Sequence, residues 1–166
     1  MKKLTLIFSG VLLLVSVVLF VNRVNLHAAT GEPVPGAEVY IEQEPNDDPI
    51  ANTGSDSNGN FEFNGLYGLE EGKYSVYIRL QVTKSLKKKL AKKKLLHIRF
   101  EIGKTRQKGK KVIVSKTILI KTSKVRKGKK IKVFSFKLKE DVLFQPNASK
   151  AVGSKSGFAI GGFSLT

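Results

Sequence analysis

The 166-residue chain predicts an all-β fold: an antiparallel β-sandwich preceded by one N-terminal hydrophobic helix. Three observations lead there. Apolar residues alternate with polar ones in short runs, and Gly, Pro, Asn and Asp collect between the runs. The stretch Leu4–Val21 carries no charge and stands apart in front of them.

That stretch is longer than the roughly 7–15 apolar residues of a cleavable signal and falls within the roughly 17–25 of a spanning helix. Residues 1–21 therefore read as a signal-anchor. Lys2 and Lys3 precede the run, which orients the N-terminus to the cytoplasm and places the chain beyond Arg23 outside, in an extracytoplasmic, envelope location. The alternative is cleavage at Leu26-His27-Ala28-Ala29, which would release a secreted subunit. The chain has no cysteine, so disulfides, thiolate metal sites, cysteine nucleophiles and a lipid-bearing cysteine are all excluded. About 145 residues remain beyond the anchor, enough to bury on the order of two-thirds of their unfolded surface without cross-links.

Val24, Leu26 and Ala28 alternate with polar neighbours, which predicts a first strand over Asn22–Ala29. "TGEPVPGA" is a turn, and Val39 and Ile41 alternate with Glu38 and Glu42 in the next strand. Asn58-Gly59 suits a tight turn leading to Phe61 and Phe63 on one face. Tyr74, Val76, Ile78 and Leu80 then share a face of a longer strand.

From Thr30 to Ile78 the succession "TGEPVPGAEVYIE", "SDSNGNFEFNGL", "EEGKYSVYI" resembles the carboxypeptidase regulatory-like domain, a prealbumin-like, Cna-B-like sandwich of bacterial envelope proteins. The resemblance covers Val21 to Val82, about a third of the chain. It implies that Asn22–Ala29 is a strand of the sandwich and not the end of a leader, and it implies a non-catalytic module. Pilin-type relatives of such sandwiches crosslink through a lysine of an early strand. No lysine lies between Arg23 and Lys73, which argues against that crosslink here.

Beyond Val82 the pattern changes. Lys84–Lys94 places Leu86, Leu90 and Ala91 among seven lysines, a narrow basic amphipathic helix or the end of an overlong hairpin. Ile98, Phe100 and Ile102 predict a strand. Val112, Val114, Ile118 and Ile120 predict one face of another, whose opposite face holds Ile113 and Leu119, as expected of a central strand. Two "KGKK" segments, 108–111 and 127–130, read as repeated basic turns, and Phe134, Phe136 and Leu138 complete the set. The sandwich domain is thus expected over 22–145, with the family motifs in 22–82 and lysine-rich strands in 83–145. Residues 146–166 are small and Gly-rich, which predicts a flexible tail with at most a short edge strand around Phe158–Leu165.

Charge is segregated. Thr30 to Gly72 holds ten acids and no Lys or Arg, whereas Lys84 to Lys139 holds 23 Lys or Arg and the single acid Glu101, within a net charge of +17. Folding of the halves against each other would neutralise part of this and leave a cationic surplus. The chemistry that surplus could serve is binding. His27 and His97 lie in predicted strands without a nucleophile motif, Asp47-Asp48 and Glu70-Glu71 lie in turns, and "DSNGN" lacks the carboxylates that an EF-hand loop places at its ends. No catalytic, cofactor or metal residue is therefore nominated. The nominated anion-binding residues are Lys87, Lys88, Lys89, Lys92, Lys93, Lys94, Lys110, Lys111, Lys129 and Lys130, carried on loops at one end of the sandwich. Lipid head groups, envelope glycans or an acidic protein are the expected partners. Nucleic acid is not, because few aromatics are interleaved with the lysines for base stacking.

Overall fold

The computed structural model describes residues 31–46, 49–63, 66–106, 109–144 and 157–166. The anchor and the strand expected at Asn22–Ala29 lie outside them. Among the described residues no helix is long and apolar enough to cross a membrane.

Eleven strands and one α-helix are described. Sheet I contains β1 (Glu32–Pro33), β4 (Asn60–Glu62), β7 (Leu95–Arg106), β8 (Gly109–Lys121) and β11 (Gly157–Leu165). Sheet II runs in the order β3 (Pro49–Gly54), β2 (Ala37–Gln43), β6 (Gly72–Leu80), β9 (Lys130–Leu138). A two-stranded ribbon pairs β5 (Gly68–Leu69) with β10 (Val142–Leu143). Every pairing is antiparallel, so the fold is an all-β sandwich with one short helix, α1 (Lys84–Lys92), at one end.

The period-2 rows meet in the core as the alternation requires. Val39 and Ile41 of β2, Tyr74, Val76, Ile78 and Leu80 of β6, and Leu96, Ile98, Phe100 and Ile102 of β7 are all buried. Phe100 lies at the centre of an aromatic cluster, edge-on to Phe134 at 5.3 Å and to Phe63 at 6.4 Å, with Phe61 at 6.1 Å and Phe136 at 6.2 Å. Edge-on ring pairs of this kind add about 0.5–1.5 kcal/mol each beyond their buried area. Turns close as their residues dictate: Gly36 and Gly59 take positive φ, and the Asp56 carboxylate accepts from the Asn58 and Asn60 amides at 2.8 and 2.9 Å. Buried Ser55 staples the first turn, donating to the Val34 carbonyl and accepting from the Ala37 amide, both at 2.8 Å.

Three expectations are corrected. Gly157–Leu165 is no tail: β11 is bonded along its length to β7 on one side and to β1 and β4 on the other, so the domain runs to the last residues. Its glycines admit what side chains would block. A Cβ at Gly161 would collide with the Arg99 carbonyl and the Phe61 ring. Conversely, β8 is an edge strand, paired only with β7 among the described strands. Between its pairs Ile102–Val114 and Gly103–Val112 a bulge takes up Ile113, which turns Val112 away from the row of Val114 and Ile120 and leaves it 45% exposed. Finally, the second "KGKK" forms the expected basic turn, the Lys129 amide donating to the Arg126 carbonyl at 3.2 Å, but it closes no hairpin within a sheet. It carries the chain from sheet I into β9 of sheet II, with Gly128 at φ +67° donating to the Leu80 carbonyl.

Candidate anion-binding surface

The lysine-rich segment after β6 is helical because Thr83 caps it, its hydroxyl accepting from the Leu86 amide at 3.2 Å. Lysine is a good helix former, and Lys89 and Lys92 in the last turn complement the helix dipole. Lys84, Lys88 and Lys92 nevertheless repel one another at i, i+4 spacing. Packing must offset that repulsion, and Leu86, buried, and Leu90, half-buried, seat α1 on the sandwich.

Antiparallel register assigns the nominated lysines to two places. Lys87, Lys88, Lys89 and Lys92 of α1, Lys93 and Lys94 at its exit, and Lys129 and Lys130 all lie where β6 ends and β7 and β9 begin. Lys110 and Lys111 follow the tip of the β7–β8 hairpin, at the far end of a 12-residue strand, which spans roughly 40 Å. The expectation of a single cationic end is therefore corrected: the two "KGKK" segments sit at opposite ends, because β8 returns the chain along the sandwich between them. The pairing Leu95–Lys121 brings Lys121 and, through the 3₁₀ turn Thr122–Lys124 and the segment after it, Lys124 and Lys127 to the helical end. Sequence reasoning missed these three as site residues. The register of the β7–β8 hairpin is the signal that would have placed them.

The acidic half absorbs part of the charge. On the outer face of sheet II, Glu38 pairs with Arg79 at 2.5 Å and buried Glu42 with Lys130. Glu44 meets Lys73, the Ser75 hydroxyl at 2.6 Å and Lys132 at 3.1 Å. These partners hold the Glu44 carboxyl down at about 2, Lys73 contributing most, then Ser75 and Lys132. Lys130 also lies over the Tyr77 and Tyr40 rings at 4.5 and 5.4 Å. Lys111 reaches Glu140 at 3.8 Å, and Lys110 sits over Phe158 at 5.2 Å. Lys89 pairs with Glu32 at 2.6 Å and lowers that carboxyl below its ordinary range. Three of the ten nominated lysines, Lys89, Lys111 and Lys130, are thus engaged by acids of the same chain. Lys87, Lys88, Lys92 and Lys94 are exposed, with no carboxylate in ion-pair contact among the described residues.

Between α1 and the 3₁₀ turn lies a groove formed by two adjoining hollows of about 550 and 490 Å³, which share Leu90, Ala91, Thr122 and Ser123. Val82 and Val125 extend the floor of one and Leu95 that of the other. Lys87 and Lys127 border the first, and Lys93, Lys94 and Lys121 the second. Thr122 braces the walls: its amide donates to the Lys94 carbonyl at 3.0 Å and its hydroxyl to the Lys93 carbonyl at 2.8 Å.

Elsewhere, His97 shares a hydrogen bond of 2.6 Å with the Thr166 hydroxyl on sheet I, and the Glu71 amide donates to Asp141 at 2.7 Å. His27 and Asp47-Asp48 lie outside the described residues. No group of three or more His, Cys, Asp or Glu among the described residues is placed to hold a metal ion. Compared with family models, with curated proteins and with solved structures, the chain has no match.

Proposed function

We propose that the chain is a non-enzymatic, membrane-anchored extracytoplasmic binding or scaffold module of the bacterial envelope, a prealbumin-like sandwich whose helical end holds anionic surfaces. One observation carries this reading: Lys87, Lys88, Lys92 and Lys94 remain exposed with no carboxylate in ion-pair contact among the described residues, while the acids of β2 are taken up by β6 and β9. The uncharged run Leu4–Val21 supports the anchor, and the motifs of Thr30–Ile78 support the family resemblance. Each lysine near an anionic bilayer contributes about 1 kcal/mol, so four together amount to roughly 4 kcal/mol, near a thousandfold in affinity.

The test holds the full chain in neutral phosphatidylcholine nanodiscs and measures recruitment of vesicles containing phosphatidylglycerol. Recruitment is expected at about 0.1 M salt and is lost near 1 M, where the screening length falls to about 3 Å. The variant K87Q/K88Q/K92Q/K94Q loses it as well. Absent or salt-independent recruitment rejects the reading. The secreted structural or adhesive subunit has one feature in its favour, the edges of β8 and β9, which pair with no further strand among the described residues. A mature N-terminus at Ala29 or Thr30 would select it, and an intact Met1 the anchor.

A further inference from the structure

From the groove between α1 and the 3₁₀ turn we infer a binding site for one molecule of a single-chain anionic amphiphile, an alkyl chain ending in a carboxylate or phosphate. This rests on the reading of the helical end as an anion-binding surface and names what that surface takes one molecule at a time. The floor is apolar, made by Val82, Leu90, Ala91 and Val125, and its volume is that of a small-ligand site. Lysines stand at both mouths, and among the described residues no carboxylate lines either hollow. A ligand must therefore bury hydrocarbon and present negative charge together, which a free anion, a neutral lipid or a sugar does not do.

Size argues for one chain and against a partner helix. The wall α1 is nine residues, roughly 13 Å, the scale of a single alkyl chain and too short to cradle several turns of another helix. The head group belongs at the mouth with Lys93, Lys94 and Lys121, where three cations converge against two at the other. The groove is formed in advance, because the Thr122 bonds to the Lys93 and Lys94 carbonyls tie its walls together. Binding then carries little ordering cost. The hydrocarbon contributes about 0.8 kcal/mol for each methylene it buries.

The experiment keeps the full chain in phosphatidylcholine nanodiscs and uses two photoreactive probes of equal chain length, a diazirine fatty acid and the corresponding alcohol, with crosslinks mapped by mass spectrometry. The acid is expected to label the peptides holding Leu90-Ala91 and Thr122–Val125, roughly tenfold above the alcohol. Ala91 is exposed, so Ala91→Trp fills the groove without entering the core. It should cut this labelling roughly tenfold while leaving the unfolding temperature unchanged. K93Q/K94Q/K121Q should bring the acid down to the level of the alcohol. Unlabelled lysophosphatidylglycerol should compete if phosphate heads are accepted as well as carboxylates; competition by lauric acid alone would assign the site to carboxylates. Equal labelling by acid and alcohol, labelling confined to Leu4–Val21, indifference to Ala91→Trp, or displacement by an acidic peptide and by neither amphiphile would overturn the inference. Loss of vesicle recruitment with groove labelling intact would reject the proposed function and leave the groove standing.

Discussion

Two strands of sheet I, β11 and β8, invert what their compositions advertise. β11, "GFAIGGFSL", is short of large side chains, a composition that predicts looseness. It is the strand with neighbours on both sides, and every residue from Ala159 to Leu165 is buried. β8, "GKKVIVSKTILIK", is rich in Val, Ile and Leu, a composition that predicts a central place. It lies at the edge, with Val112 45% and Leu119 54% exposed. The difference shows that apolar content does not rank strands by depth. Depth depends on what neighbours demand, and the neighbours of β11 demand thinness: the Phe61 ring occupies the space above Gly161, and the Leu143 carbonyl and Phe144 ring the space beside Gly157. At the edge, lysines at positions 110, 111, 116 and 121 oppose further pairing, which limits the association that the exposed apolar residues between them would otherwise promote.

The largest expected effect breaks the comparison at β11. Gly161→Val would drive its side chain into the Arg99 carbonyl and the Phe61 ring, and backbone cannot yield as a flexible side chain can. Overpacking of this kind costs typically 1–3 kcal/mol, and the involvement of a backbone carbonyl puts this case at about 3 kcal/mol or beyond. Denaturant unfolding of the full chain in nanodiscs should show a lower midpoint or no cooperative transition. A midpoint within error of the wild type would mean that β11 is the tail its composition suggests.

The second prediction separates strands held by packing from strands held by charge. Gly157–Leu165 contains no ionisable side chain, whereas β9 is joined to sheet II partly through Lys130–Glu42 and Lys132–Glu44. The folded-state value of Glu44, about 2, lies below its ordinary 4.5. Its contribution is therefore complete above pH 4.5, declines as the pH falls through the window from 4.5 to about 2, and is gone below it. The stability difference between wild type and Glu44→Gln should be constant above about pH 5 and close toward zero near pH 2. Glu38 and Glu32 are lowered as well, so the wild type loses more than this one contribution in acid, and the difference between the two proteins isolates Glu44. Amide exchange should quicken first along β9 and leave β11 protected. A difference that persists unchanged at pH 2 would assign the effect of Glu44 to its packing.

What could be read from the chain divides along the same line. Local pattern was legible: alternation at Tyr74–Leu80 and Leu96–Ile102, the turn at Asn58-Gly59, and Leu86 and Leu90 among lysines were all visible, because a strand's two faces and a helix's seat are written in nearest neighbours. Order within a sheet was not, since it depends on pairings such as Gly161–Phe100 between residues far apart in sequence. The candidate site divides in the same way. Lys87, Lys88, Lys92 and Lys94 stood out as a run, but Lys121, Val125 and Lys127 join them only through the register of β7 with β8. Ser55 was equally hidden, for nothing around a lone serine announces that it will staple a turn about twenty residues earlier in the chain.

The smallest expected effect tests the edge itself. Leu119 faces outward from β8, opposite His97, and is half exposed. Removing most of its side chain in Leu119→Ser opens no interior cavity and strands no buried partner. The change should lie within about 0.5 kcal/mol, the range of ordinary surface substitutions. Were β8 central, as its Val, Ile and Leu suggest, the same change would resemble the loss of a buried leucine, at about 2–5 kcal/mol. Urea midpoints resolve that gap readily, and a large loss could arise only if another element covers this face. The sign of any small effect is informative too, because a serine there removes exposed hydrocarbon beside Thr117 and Lys121 and should reduce self-association measured by sedimentation. Unchanged stability together with weaker association would show that Leu119 serves the surface of β8, while the inward row of Val114 and Ile120 joins the core.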